Sequence, residues 1–197
     1  MTDPLVPLGD GDTEVPEEDR AALIPTYIAD LRELYAAEQE NIAAALIARH
    51  PSAEVLLDDL YLRRLHRAMF ERVWKWAGRY RMRETNIGID PTQIATEVRR
   101  LTADALAWVE SGCYDEDGTA VRFHHRMVQI HPFVNGNGRH GRIAADLLVS
   151  ALRQPAFSWG QNLQVSTEEL RARYIAAMRR VDVDPEDLSD LLHFARS

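Results

Sequence analysis

His131-Pro132-Phe133-Val134-Asn135-Gly136-Asn137-Gly138-Arg139-His140-Gly141-Arg142 is the stretch that decides how this chain is read. It sets an imidazole, a Gly-Asn-Gly turn and two arginines close together. Apolar residues at helical spacing predict a helix from about Thr119 to Ile130 that runs straight into His131. A second helix follows the turn, through Ile143, Leu147 and Ala151 to Pro155. The turn therefore lies at a helix N-terminus, where unpaired N–H groups and a partial positive charge attract anions. Glycines on both sides of Asn137 let the backbone approach such an anion closely. Arg139 falls in the first helical turn and Arg142 lies three residues on, on the same face. Cations are disfavoured at a helix N-terminus, so two arginines there call for an anion to offset both. Pro132 disfavours helical geometry at His131. A neutral imidazole at that point can take a proton from an attacking hydroxyl. Phe133 is expected to face inward and anchor the loop.

Outward from this stretch the helical period dominates. Asp30 with Glu33 reads as a capping box opening a helix through Leu31, Leu34, Tyr35, Ile42, Ala45 and Leu46 to about Arg49, ended by Pro51. Leu62, Leu65, Met69 and Val73 mark a helix over roughly 58–74. From Gly78 to Ile89 the pattern changes: Arg79, Arg81 and Arg83 alternate with Tyr80 and Met82, which predicts an extended strip or short hairpin. Asp90-Pro91-Thr92-Gln93 opens the next helix, which buries Ile94, Val98, Leu101, Ala105 and Trp108 and stops at Gly112. Ser166 with Glu169 caps another, and Asp184-Pro185 opens the last. The expected fold class is all-α, about seven helices with a short extended flap or β-hairpin, in a single domain over 20–197. Residues 1–19, acidic and rich in Pro and Gly, are expected to form a poorly ordered N-terminal segment.

Composition narrows the function classes. The chain has 197 residues, 46% of them hydrophobic and 27% charged, which suits a soluble globular domain. No apolar run reaches the roughly 18–20 residues that span a bilayer, so no membrane partner is expected. The N-terminus lacks the basic and apolar regions of a secretory signal, and the single Cys113 rules out an internal disulfide, so a cytoplasmic location is expected. A net charge of −8 argues against general nucleic-acid binding but leaves room for a nucleotide beside local cations.

The 131–142 stretch resembles the signature of Fic proteins, H-x-F-x-[D/E]-G-N-G-R-x-x-R, at every fixed position except one: Asn135 stands where the family carries a carboxylate. Trp74-Lys75-Trp76-Ala77-Gly78-Arg79-Tyr80-Arg81 followed by Asn86-Ile87-Gly88 is similar to the Fic segment leading into the flap that aligns a target residue. The layout from Ile24-Pro25-Thr26-Tyr27 to the terminal Leu192-His193-Phe194-Ala195-Arg196-Ser197 is similar to the Fic subgroup labelled mobile mystery protein B. The resemblance implies transfer of AMP from ATP onto a protein hydroxyl. His131 is then the general base, and Gly136, Asn137 and Gly138 are the anion hole. Arg139 and Arg142 bind phosphate, and Thr85, Asn86, Ile87 and Gly88 form the target flap. Mg²⁺ bridges the α- and β-phosphates, with Asn135 at the metal position. Implied partners are a nucleoside triphosphate, a protein target, the chain itself through self-modification, and a helix-turn-helix or antitoxin-like regulatory chain.

Three points stay open on the residues alone. Asn135 offers Mg²⁺ one neutral carbonyl oxygen, so the ion is bound weakly or mainly by the triphosphate, and the alternative is a nucleotide-binding or partner-binding protein without turnover. Many Fic proteins carry an inhibitory helix with the pattern [S/T]-x-x-x-E-[G/N]. The nearest match is Ala36-Ala37-Glu38-Gln39-Glu40-Asn41, which points to Glu40 as the glutamate facing Arg142. A solvated Glu-rich helix face is the competing reading. His124, His125, His131 and His140 invite comparison with a metal site, but packing or backbone bonding fits His124 and His125 better. Arg79, Arg81 and Arg83 read as a surface strip, Tyr174 as a core residue or a base-stacking one, and Trp74, Trp76, Trp108 and Trp159 as core anchors.

Overall fold

The computed structural model describes residues 20–47 and 50–197; the expectation for 1–19, and the end of the first helix near Arg49, lie outside the described residues. The described chain is built of helices: α1 (Leu31–Leu46), α2 (Ala53–Leu56), α3 (Asp59–Phe70), α4 (Ile94–Ser111), α5 (Glu116–Ile130), α6 (Asn137–Ala151), α7 (Thr167–Val183) and α8 (Ser189–Arg196). A 3-10 turn at Pro91–Gln93 leads into α4. The all-α expectation holds. The short α2 has too few residues to show a period, so only the structure reveals it.

Most ends follow from local chemistry. Asp30 accepts the N–H groups of Arg32 and Glu33, while Glu33 reaches back to the Ala29 N–H at 2.6 Å. Asp58, Asp115 and Ser166 cap α3, α5 and α7 through their side-chain oxygens. Gly112 closes α4 in the left-handed region at φ 61°. The Asp184-Pro185 signal gives a turn instead of a helix start; α8 begins at Ser189, after the Asp187 side chain has accepted the Ser189 N–H.

Helices α5 and α6 run against each other as a central pair, with α4 beside α5, α1 on α3, and α7 against α8. Helices α5 and α6 contribute Ala120, Val121, Phe123, Met127, Ala144, Ala145, Leu148 and Val149 to the core, all buried. The Gly78–Ile89 strip forms neither a regular strand nor a hairpin: it runs as irregular backbone with bends at Arg83 and over 86–89. Among the described residues it pairs only through an isolated antiparallel bridge between Tyr80 and Phe133, and a second bridge joins Leu23 to Trp74.

The core also holds imidazoles. His66, His124 and His140 are fully buried and His131 nearly so. Burial pushes His66 well below the usual imidazole range, His124 to about 3, and His131 and His140 to about 4. Each is neutral when folded and protonates freely when unfolded. Their contribution is complete above pH 6.5 and is lost as pH falls toward 4. Asp146, raised to about 6 by burial, acts in the opposite sense between pH 6 and its ordinary 3.8. Four histidines outweigh one carboxyl, so urea stability should drop by roughly 3 kcal/mol or more between pH 7 and pH 4.5. Equal urea midpoints at the two pH values would show that these imidazoles do not stay neutral in the fold.

Candidate functional site

The site is built where α5 stops and α6 starts. His131 caps α5 in the left-handed region, φ 54° and ψ 60°, and is only 3% exposed. A non-glycine residue pays a steric cost there. Gly136, at φ 78°, caps α6; a Cβ on it would sit 2.6 Å from the Phe70 ring. Only glycine fits. Gly138 differs: an added Cβ there meets nothing within 4 Å, so open space lies over the first turn of α6. By helix geometry the N–H groups of Asn137, Gly138 and Arg139 have no acceptor within the helix.

Asn137 turns its side chain away from that space. Its Oδ1 accepts the Phe133 N–H at 2.9 Å and its Nδ2 donates to the Phe133 carbonyl at 2.8 Å. The side chain is a staple across the turn, and only the backbone N–H is left for an anion. Phe133 is buried as expected and stacks on the His66 ring at 3.7 Å. The Gly78 N–H donates to His66 Nδ1 at 3.0 Å, which leaves the proton on Nε2 to be donated to the Asn135 carbonyl at 3.1 Å. A fixed tautomer of one imidazole thus joins the flap base to the signature loop.

Over this turn opens a cleft of about 540 Å³, within the range of small-molecule sites. It is lined by the 135–139 turn with Arg139 and Arg142, by His131 and Ile87, by Trp159, Leu170 and Tyr174, and by Leu34, Tyr35 and Glu38 of α1. The imidazole of His131 is held neutral first by burial and also by the Arg81 charge, with the Val128 carbonyl opposing them. Arg142 lies over the Tyr174 ring, 5.4 Å from its centroid, and the Tyr174 hydroxyl meets His124 Nε2 at 3.0 Å. Asp146 fixes the Trp159 wall by accepting its Nε1–H at 2.9 Å.

Glu40 is exposed and does not face Arg142. The glutamate turned to the signature is Glu38, 2% exposed, which pairs through Oε2 with Arg139 at 2.7 Å and accepts Trp74 Nε1–H on Oε1 at 2.7 Å. Helical phase explains the correction. The buried stripe of α1 is Leu34, Glu38, Asn41 and Ile42, and Glu40 points the other way. That stripe was the signal that separates the two glutamates. Asn41 anchors the helix by donating to the Ala68 carbonyl and accepting the Arg72 N–H.

Asn135 borders the cleft, but its Oδ1 accepts the Gly136 N–H at 2.5 Å. Among the described residues no three His, Cys, Asp or Glu side chains converge as metal ligands. A lone neutral amide, already engaged, does not make a Mg²⁺ site by itself. His125 bonds Asp182 at 3.0 Å and His140 the Leu62 carbonyl at 2.9 Å, so the histidines are structural partners and not a cluster. Arg81 is the other correction: it is 3% exposed and not part of a surface strip, whereas Met82 beside it is 87% exposed. In the flap, the Thr85 hydroxyl donates to the Ile87 carbonyl at 2.5 Å, and the neighbouring Gly88 backbone packs on His131.

Residues 56–149 match the model of the Fic/DOC family. A Fido domain-containing protein of Dictyostelium discoideum is 38% identical over 71 residues, 36% of this chain and 45% of that protein. The chain thus spans less than half the length of that curated relative. Among solved structures, BepC, a VirB-translocated effector of Bartonella tribocorum crystallised with bound AMPPNP, superposes with a TM-score of 0.67 at 17% identity, covering 92% of this chain and 97% of that one. The N-terminal Fic domain of a VirB-translocated Bep effector from Bartonella quintana, with bound ADP, gives 0.64 at 20% identity over 87% of this chain and 86% of that one. No helix among the described residues is long and apolar enough to cross a membrane.

The Glu38 pair carries a stability test. Glu38→Ala strips a partner from Arg139 and from the Trp74 indole at once. It should cost about 2–3 kcal/mol, less than a wholly buried pair because Arg139 still reaches water. Glu40→Ala should stay within about 0.5 kcal/mol. Urea unfolding of both variants decides the matter; comparable losses would mean that α1 is turned differently.

Proposed function

We propose that this chain, which belongs to the Fic/DOC family through residues 56–149, is a nucleotidyltransferase that moves AMP from ATP onto a protein hydroxyl. The observation that carries the reading is a neutral, buried imidazole lining a cleft that a helix N-terminus with two arginines also lines. The AMPPNP and ADP bound by the two Bartonella proteins support nucleotide as the ligand.

In this reading the α6 N-terminus and the N–H groups of Asn137, Gly138 and Arg139 cradle the phosphates, using the open space over Gly138. Arg139 and Arg142 neutralise the triphosphate. The His131 imidazole takes the proton of the target hydroxyl. The hydroxyl oxygen bonds to the α-phosphorus, the bond from that phosphorus to the bridging oxygen breaks, and pyrophosphate leaves. Positioning and electrostatics supply most of the rate. Mg²⁺ enters with the nucleotide as part of the substrate. The flap at Thr85, Asn86, Ile87 and Gly88 aligns the target, and residues 20–197 act as one unit. Glu38 holds Arg139 until phosphate displaces it, a brake in the same chain. The natural target is a cytoplasmic protein or the chain itself, and an antitoxin-like partner is a second level of control.

His131→Ala should lower the transfer rate by roughly 10²–10⁴ and leave ATP affinity nearly intact. Intact-mass measurement after incubation with ATP and Mg²⁺, beside an ATP-binding titration, checks this. Full-rate transfer by the variant removes His131 from the chemistry.

A second reading rests on Asn135, whose amide is occupied by Gly136: a nucleotide-binding protein with little or no turnover. Asn135→Asp should supply a charged oxygen, tighten the Mg²⁺ dependence of ATP binding and raise transfer. Identical Mg²⁺ titrations for both proteins would show that position 135 does not face the ion.

A further inference from the structure

The proposed reaction leaves the buried charge of Arg81 without a role. Its guanidinium is committed to main-chain oxygens. Nε donates to the His131 carbonyl at 2.7 Å, Nη1 to the Arg83 carbonyl at 2.7 Å, and Nη2 to the Ile89 carbonyl through a short bond. Its own N–H donates to the Pro132 carbonyl at 2.9 Å. One side chain therefore grips both ends of the flap and the histidine at the end of α5. Gly88 completes the contact. It lies at φ 106°, and a Cβ on it would stand 2.6 Å from His131 Cβ and 2.7 Å from Arg81 Nη2, so the flap backbone rests directly on both residues.

We propose that Arg81 is a positioning residue for the transfer step: it locks the 83–89 flap to His131, so that a hydroxyl aligned by the flap meets the imidazole in register. This rests on the transferase reading above. The planar fork of arginine suits three carbonyls spread around it, and a lysine ammonium does not offer that fixed geometry. Burying a cation against carbonyl dipoles is costly, whereas an apolar side chain would fill the same volume at less expense. The arrangement stabilises one backbone shape next to the base. Its charge has a second effect in the same direction, since it helps to keep the adjacent imidazole unprotonated. A catalytic contact is not involved: the Arg81 side chain bonds main-chain oxygens of His131 and the flap, and acts through them.

The test compares the full chain with Arg81→Lys, Arg81→Met and Gly88→Ala, by three measurements. Amide hydrogen exchange over 83–89 should quicken at least tenfold in all three variants. ATP affinity, titrated with Mg²⁺ present, should stay within about threefold of the original. Transfer at saturating ATP, followed as self-modification by intact mass, should fall by about 10², the loss that misplacing a reacting group by an ångström can produce. Arg81→Lys should lose nearly as much as Arg81→Met, because it keeps the charge but not the fork. Should Arg81→Met not fold, Gly88→Ala disturbs the same contact from the flap side and still decides. A folded Arg81→Met with unchanged flap exchange, or one that transfers at full rate with saturating ATP, overturns the role of Arg81 alone. Loss of ATP affinity in step with loss of transfer assigns Arg81 to general folding and overturns it too. An original chain that, given each nucleoside triphosphate with Mg²⁺, modifies neither itself nor any protein of an added cell extract overturns the transferase reading, and this role with it.

Discussion

The reversal from α5 to α6 is the constraint on which the rest depends. Six residues turn the chain, and two of them, His131 and Gly136, hold left-handed backbone. Gly136 adopts it freely for want of a Cβ, whereas His131 does so against its own side chain. The turn persists because Asn137 closes it with two hydrogen bonds to Phe133 and because Phe133 is stacked in the core on His66. The long contact between α5 and α6 then offsets the strain. A turn held this firmly points an imidazole and a helix N-terminus at the same volume without either having to move.

Electrostatics shape what surrounds that volume. Arg139 stands in the first turn of α6, where the helix dipole already favours an anion. A glutamate from α1 supplies one, and its other oxygen takes the Trp74 indole N–H. The arrangement brings α1, the segment after α3 and α6 together through a single carboxylate. The Arg139 charge that borders the cleft is thereby already paired from within the chain.

The flap is governed by different physics. It has almost no ladder of its own among the described residues, and its carbonyls find a buried guanidinium where a strand would find a neighbouring strand. The result is an irregular segment tied by its carbonyls to one guanidinium. Met82 is left facing outward, while Ile87 borders the cleft.

The sequence by itself determined the helical class, most helix ends and the stretch, 131–142, that lines the cleft. Caps such as Asp30, Ser166 and Gly112 are local, with partners within a few residues, so they can be read along the chain. The Gly-Asn-Gly turn with its arginines is local in the same way. Other features depended on distance in space. Glu38 and Glu40 differ by two residues and have opposite surroundings, because a helix rotates about 200° over that step. Arg81 alternates with apolar residues as a surface strip would, yet carbonyls from His131 and Ile89 converge on it. The Asn137 side chain is free to bond anywhere as far as the sequence tells, and the fold commits it to the Phe133 backbone. In each case the residue type states what bonds are available, and only the tertiary structure decides which partner arrives, since burial leaves no water to satisfy the group instead.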